Sequence, residues 1–241
     1  MSAWRLLGCD TAGDLVSYCA QHLLAALAER QGGKSTVSLA LTGGELANAV
    51  YDKVAALAGT SPLDPARVHL WWTWDTFVAT DNPERNSLQA LSRLAGAWAL
   101  DPAKIHPIPS SSAMADPETA AAQYAGELAE ADPIDIALVE FGPAGEIAGL
   151  GATSPPDAPG LVVGLANPPG VPSVITMTLA GLNRCREIWV LASGDAVAAA
   201  VARAADHDPG ALASHLTGTD SVLWLVDQAA LAHRTFHTCA L

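Results

Sequence analysis

Ile134-Asp-Ile-Ala-Leu-Val-Glu-Phe141 runs directly into Gly142-Pro-Ala-Gly-Glu146. An apolar run of strand length that stops at a glycine-proline turn reads as a buried strand feeding a loop. Comparable runs stand at Thr36–Leu41, Val68–Trp74, Val174–Thr178, Glu187–Ala192 and Val222–Val226. Between them the spacing is helical. Ala12–Arg30 places Leu15, Cys19, Leu23, Leu24 and Leu27 on one face, and Glu45–Leu57, Asn86–Leu94 and Asp195–Ala205 read as further helices. Asp116-Pro-Glu-Thr119 opens a helix that runs to about Ala131, with Asp116 as N-cap and Pro117 in its first turn. A short helix is expected from Asp227, and the proline-rich Ser154–Gly160 is expected as a surface loop.

Buried strands alternating with helices predict an α/β fold: a single domain over residues 1–241, doubly wound, with a mostly parallel sheet and helices on both faces. Ligands of such sheets bind beyond the carboxyl ends of the strands, where strand order reverses. The loops after Leu41, Trp74, Phe141 and Ala192 are therefore the candidate site.

Composition narrows the function classes. Half of the 241 residues are apolar and 15% are charged, which excludes a disordered chain and allows one substantial core. The net charge of −13 opposes nucleic acid and anionic membranes, so neither is an expected partner. No apolar run reaches the roughly 18 residues of a membrane helix. The N-terminus lacks a basic segment leading into an apolar one, so a cytoplasmic location is expected. Cys9, Cys19, Cys185 and Cys239 form no C-x-x-C pair and read as reduced, mostly buried thiols, with no metal site implied. Gly33-Lys34-Ser35 is not a phosphate loop: Ala28 stands where its first glycine belongs, and the segment runs helix to strand. With no G-x-G-x-x-G either, no cofactor is expected.

Several segments carry a resemblance. Glu140-Phe-Gly-Pro-Ala-Gly-Glu146 resembles Gly-Met-Gly-Pro-Asp-Gly-His, the signature loop of the 6-phosphogluconolactonase family, with Ala144 at the aspartate and Glu146 at the catalytic histidine. Leu41-Thr-Gly-Gly44 resembles that family's Ser-Gly-Gly-Ser/Thr-Thr-Pro phosphate loop, with Glu45 and Leu46 in the next two places. Val68–Val78 and Asp81–Asn86 resemble a strand ending Trp-Gly-Asp-Glu-Arg-Phe-Val and a downstream Asp-x-Pro-x-Ser-Asn, but Trp74, Asp75 and Thr76 stand for Asp, Glu and Arg. Val174–Asn183 resembles Arg-Ile-Thr-Leu-Thr-Leu-Pro-Ala-Leu-Asn, keeping Asn183 and putting Val174 at the arginine. After the next strand, Val197 takes the place of a lysine, and Leu225–Ala230 matches a C-terminal Leu-Asp-Glu-Ala-Ala. The likeness runs from about Gly13 to Ala230.

The resemblance implies hydrolysis of a six-membered sugar lactone bearing a 6-phosphate, in which a histidine activates water and arginine and lysine hold the phosphate. It implies a small sugar-phosphate or lactone ligand bound by Thr42, Gly43, Gly44, Asp75, Gly142, Gly145 and Asn183. Arg85 is the expected substitute for the lost arginine, and Glu146 the only candidate base at the histidine's place. A dianion requires several cations in fixed array, and a base must titrate near neutrality. Glu45, Thr76, Ala144, Glu146, Val174 and Val197 together depart from both needs. Glu45, at a helix N-terminus, is expected either to occupy an anion's place or to swing outward. Activity on the usual substrate is therefore expected to be weak or absent. The alternative is a non-catalytic module with a protein partner, which an exposed Trp71/Trp72/Trp74 cluster would favour. The related glucosamine-6-phosphate isomerases fit less well, since their acidic and histidine site is also missing.

Overall fold

The computed structural model describes residues 3–151, 154 and 157–233. His237, Cys239 and part of the Ser154–Gly160 loop lie outside the described residues. The elements, in chain order, are β1 (Ala3–Cys9), α1 (Ala12–Gln31), β2 (Val37–Leu41), α2 (Glu45–Leu57), β3 (Val68–Trp72), β4 (Trp74–Thr76), α3 (Asn86–Leu94) and α4 (Pro117–Glu130). They continue as β5 (Ile136–Glu140), β6 (Val162–Leu165), β7 (Val174–Met177), α5 (Leu179–Asn183), β8 (Glu187–Ala192), α6 (Ala198–Ala205) and β9 (Ser221–Asp227).

Six strands form one parallel sheet in the order β1-β9-β8-β5-β2-β3. Ile136, Ala137, Leu138 and Val139 are each fully buried, so neighbouring residues that point to opposite faces are both covered. Such a sheet has helices over each face, as the alternation of elements predicts. From β2 the chain crosses to β3 at one edge, then returns to lay β5 on β2's other side. The order reverses between β2 and β5, so the carboxyl ends of those two strands, at Leu41 and Glu140, flank the switch point.

Three differences from the sequence reading have physical causes. The apolar run Val68–Trp74 is two strands, not one. Thr73 donates its amide to Leu41 O at 2.8 Å and accepts from Met177 N at 2.8 Å, turning the chain out of the parallel sheet. Trp74–Thr76 then pairs antiparallel with β7, and with β6 these make a separate three-stranded sheet. Ala3–Cys9, read as no element at all, is an edge strand against β9, and its partial exposure explains its weak apolar signal. The residues after Asp227 form turns rather than a helix, and Asp195–Val197 is a single 3-10 turn before α6.

One hydrophobic core links the sheet to α1, α2 and α4. Tyr51 and Tyr124 are its buried polar anchors. Tyr51 OH accepts from Thr42 N and donates to Thr42 O, each at 2.8 Å, while Tyr124 OH does the same for Trp72 at 2.8 and 2.9 Å. These bonds satisfy backbone groups at the ends of β2 and β3, where the ladder stops. Among the described residues no helix is long and apolar enough to cross a membrane.

Candidate active-site cleft

A cleft of about 420 Å³ opens at the switch point. Its walls come from the exit of β2 (Gly43, Gly44), from Trp74, from Glu140 through Pro143 and Glu146, from Ala148 and Gly149, and from Ser193, Ala196 and Val197 after β8. Four of the expected residues, Gly43, Gly44, Gly142 and Glu146, meet here. Among the described residues no lysine, arginine or histidine lines it.

The other expected residues serve the frame. Thr42 is buried, held by Tyr51 through its backbone, and its Oγ1 accepts from Trp74 Nε1 at 3.2 Å. Asp75 is fully buried and accepts from Asn86 N at 2.7 Å, Thr76 N at 2.8 Å and Ser87 Oγ at 2.7 Å. Arg85 does not line the cleft. It is 3% exposed, pairs with Asp75 Oδ2 at 3.0 Å and donates to Ile108 O at 2.6 Å, which fixes the chain entering α3. Burial pushes the Asp75 carboxyl upward against the pull of Arg85, the Ser87 hydroxyl and the amides of Asn86 and Ser87. Asn183 donates to His215 O at 2.9 Å and accepts from Thr217 N at 2.7 Å, tying α5 to a distant loop. Gly145 keeps a left-handed φ of 88° and lines a small pocket behind the loop with Ala144 and Arg203, whose guanidinium is engaged by Asp208 at 2.7 Å.

The carboxylate at the N-terminus of α2 is not the expected one. Glu45 is exposed and does not line the cleft, which matches the alternative in which it swings outward. Glu140 takes the place instead. Its Oε2 accepts from Ala47 N at 2.8 Å, at the third residue of the helix. Gly44, the N-cap, has φ 128° and no side chain with which to cap. A Cβ at Gly44 would stand 2.2 Å from the Glu140 carboxyl carbon, so glycine is needed for this approach as well as for the turn. Burial pushes the Glu140 carboxyl above the ordinary carboxylate range, and Glu45 adds to this. The amides of Ala47 and Leu46 pull the other way. In the register of the signature loop, Glu140 occupies its first glycine. That correspondence was the available signal for a residue that attention to Ala144 and Glu146 passes over.

Glu146 folds back on its own loop. Its Oε2 accepts from Ala144 N at 2.9 Å and lies over Gly142, where a Cβ would come within 2.4 Å of it. Ser193, across the cleft, donates to Asp227 Oδ2 at 2.5 Å. Burial pushes the Asp227 carboxyl up, but the Ser193 hydroxyl and the amides of Ala230 and Gly194 outweigh it and hold the group below its usual range. Trp74 supplies a flat wall, its ring packed against Gly149. The arrangement offers two carboxylates, one anchored hydroxyl and aromatic surface.

A larger cleft of about 800 Å³ lies at the opposite, amino ends of the strands, lined by Lys34, Ser38, His69, His106, Asp135 and Arg186 among others. Lys34 and Arg186 are there engaged by the buried Asp135. Its position makes it the weaker candidate, because helix N-termini and strand ends converge on the other face of the fold. Among the described residues no three His, Cys, Asp or Glu side chains converge to hold a metal ion.

Comparison with known proteins accords with this frame. The 6-phosphogluconolactonase of Streptomyces coelicolor is 32% identical over 231 residues, covering 88% of this chain and 87% of that one. A crystal structure of 6-phosphogluconolactonase from Thermotoga maritima superposes with a TM-score of 0.79 at 20% identity, covering 95% of this chain and all of that one. A monomeric glucosamine-6-phosphate deaminase superposes with a TM-score of 0.84 at 20% identity, over 95% of this chain and all of that one. These two likenesses speak for the fold. Residues 10–224 match the family described as glucosamine-6-phosphate isomerases/6-phosphogluconolactonase, and it is to this family that the chain belongs.

Proposed function

We infer that this protein is a lactone-directed member of its family whose cleft has lost the means to hold a 6-phosphate, so that hydrolysis of 6-phosphogluconolactone is weak or absent. Relatives at 32% identity that carry the name 6-phosphogluconolactonase support a lactone ligand and a role in the pentose phosphate pathway. The observation that carries the reading is the lining of the switch-point cleft: Glu140 and Glu146, with no cation among the described residues. Two carboxylates beside a dianion oppose its binding, and nothing in the lining offsets the cost of desolvating it. On this reading Glu146, released from the Ala144 amide, accepts a proton from water attacking an uncharged lactone carbonyl, as the ring oxygen leaves and is protonated to give the hydroxy acid. The three described cysteines are free and buried, which suits a reducing cytoplasm.

An exposed Trp71/Trp72/Trp74 cluster, which would favour the non-catalytic alternative, does not form: Trp71 is 4% exposed, Trp72 is fully buried, and Trp74 is partly buried in the cleft wall. The test is hydrolysis of 6-phosphogluconolactone and of unphosphorylated gluconolactone, each measured above its spontaneous rate, in the native protein and in Glu146→Gln. The expected result is turnover confined to the unphosphorylated ester, reduced about 10²–10⁴-fold in the variant, as for a lost general base. Robust turnover of the phosphorylated lactone contradicts the reading.

A further inference from the structure

Glu140 reaches from the end of β5 to the mouth of β2 and gives α2 the cap that Gly44 cannot supply. The N-terminus of a helix draws an anion through its free amides and dipole. Here the chain provides that anion itself, from a residue 93 positions away in sequence. Glu146 stands in the same cleft, and the remaining lining is glycine, small apolar side chains, Ser193 and the rings of Trp74 and Phe141.

We propose that Glu140 is the specificity-determining residue of this cleft, a built-in counter-anion that excludes phosphorylated ligands and leaves the site to an uncharged cyclic ester, a sugar lactone without phosphate. This rests on the reading above that the cleft is the ligand site, and adds to it a residue and a ligand class. A ligand phosphate at the α2 amides would lie in the space of the Glu140 carboxylate. Two like charges about 4 Å apart in an effective dielectric near 20 repel by enough to cost roughly three orders of magnitude in affinity. Screening in an open cleft reduces this to an effect on the order of 100-fold.

The experiment compares the native protein with Glu140→Gln and Glu140→Gly, using two probes that differ only by the phosphate: glucono-1,5-lactam and its 6-phosphate, both stable to hydrolysis. Glu140→Gln keeps an oxygen to accept from Ala47 N and removes the charge, and circular dichroism verifies that it folds. Calorimetry is expected to find the lactam bound by all three proteins with similar affinity. The phosphorylated lactam is expected to gain about 100-fold in Glu140→Gln and more in Glu140→Gly, which also vacates the space. Equal affinity for the phosphorylated probe in all three proteins overturns the role of Glu140. Gain of phosphate binding without lactam binding in any of them overturns the unphosphorylated ligand class and the functional reading, while leaving the exclusion by Glu140 intact.

Discussion

Arg85 and Asp75 meet at 3.0 Å with both side chains withdrawn from solvent, and neither lines the switch-point cleft. The pair joins the β4 strand to the entry of α3 across the segment that carries Asp81 and Pro83. Removing one partner of a buried pair leaves the other charge uncompensated, at a cost of about 3–5 kcal/mol. Arg85→Met is therefore expected to lower unfolding free energy by that amount in urea denaturation. Lactam affinity per folded molecule is expected to be unchanged, and a selective loss of ligand binding would return Arg85 to the site.

Tyr51 and Thr42 make a second frame contact, at the rim of the cleft. Phenylalanine at position 51 leaves the Thr42 amide and carbonyl buried without partners, which costs about 1–3 kcal/mol. Tyr51→Phe is expected to lower the urea midpoint accordingly, with the slope of the transition unaltered. A midpoint equal to that of the native protein would show that water or a shift of β2 replaces the hydroxyl.

The other end of the sheet carries a pH-dependent element. His69 Nδ1 and His106 Nε2 lie 2.9 Å apart with rings 15° from parallel, so one imidazole N–H donates to the other ring's nitrogen. Burial holds both groups below the ordinary histidine range. Lys104 adds to this at His69 and His69 adds to it at His106, while Asp101 and Glu127 oppose. The unfolded chain takes up protons near pH 6.5 that the folded pair resists. Stability from the pair is thus present above about pH 6.5 and is lost as pH falls through the lower folded values. Denaturation between pH 8 and 5.5 is expected to show a smaller acid loss in His106→Phe, which keeps a ring against Trp71. An identical pH profile in the two proteins would refute this assignment.

Much of the frame was legible because it rests on burial. Glu187–Ala192 and Glu45–Leu57 fall at their expected bounds, since one is a two-sided apolar run and the other an amphipathic helix after a glycine turn. The change of sheet at Thr73 was not legible. Apolar character continues across it, and only the partners Leu41 and Met177, distant in sequence, turn the chain. The site divides in the same way. The loops after Leu41 and Phe141 line the cleft as expected from the sequence, because strand ends follow from the alternation of elements. The identity of the carboxylate on α2 was not, because Glu45 adjoins the helix in sequence whereas Glu140 reaches it only through the pairing of β5 with β2.

The switch-point cleft bears Glu140 and Glu146 and, among the described residues, no cation, and on the proposed reading it does not hold a sugar phosphate. Titration of the native protein with 6-phosphogluconate, followed by calorimetry at neutral pH and low salt, tests it most directly. No saturable heat is expected up to millimolar ligand; a saturable micromolar isotherm that weakens when residues of the cleft are altered would overturn the proposed reading.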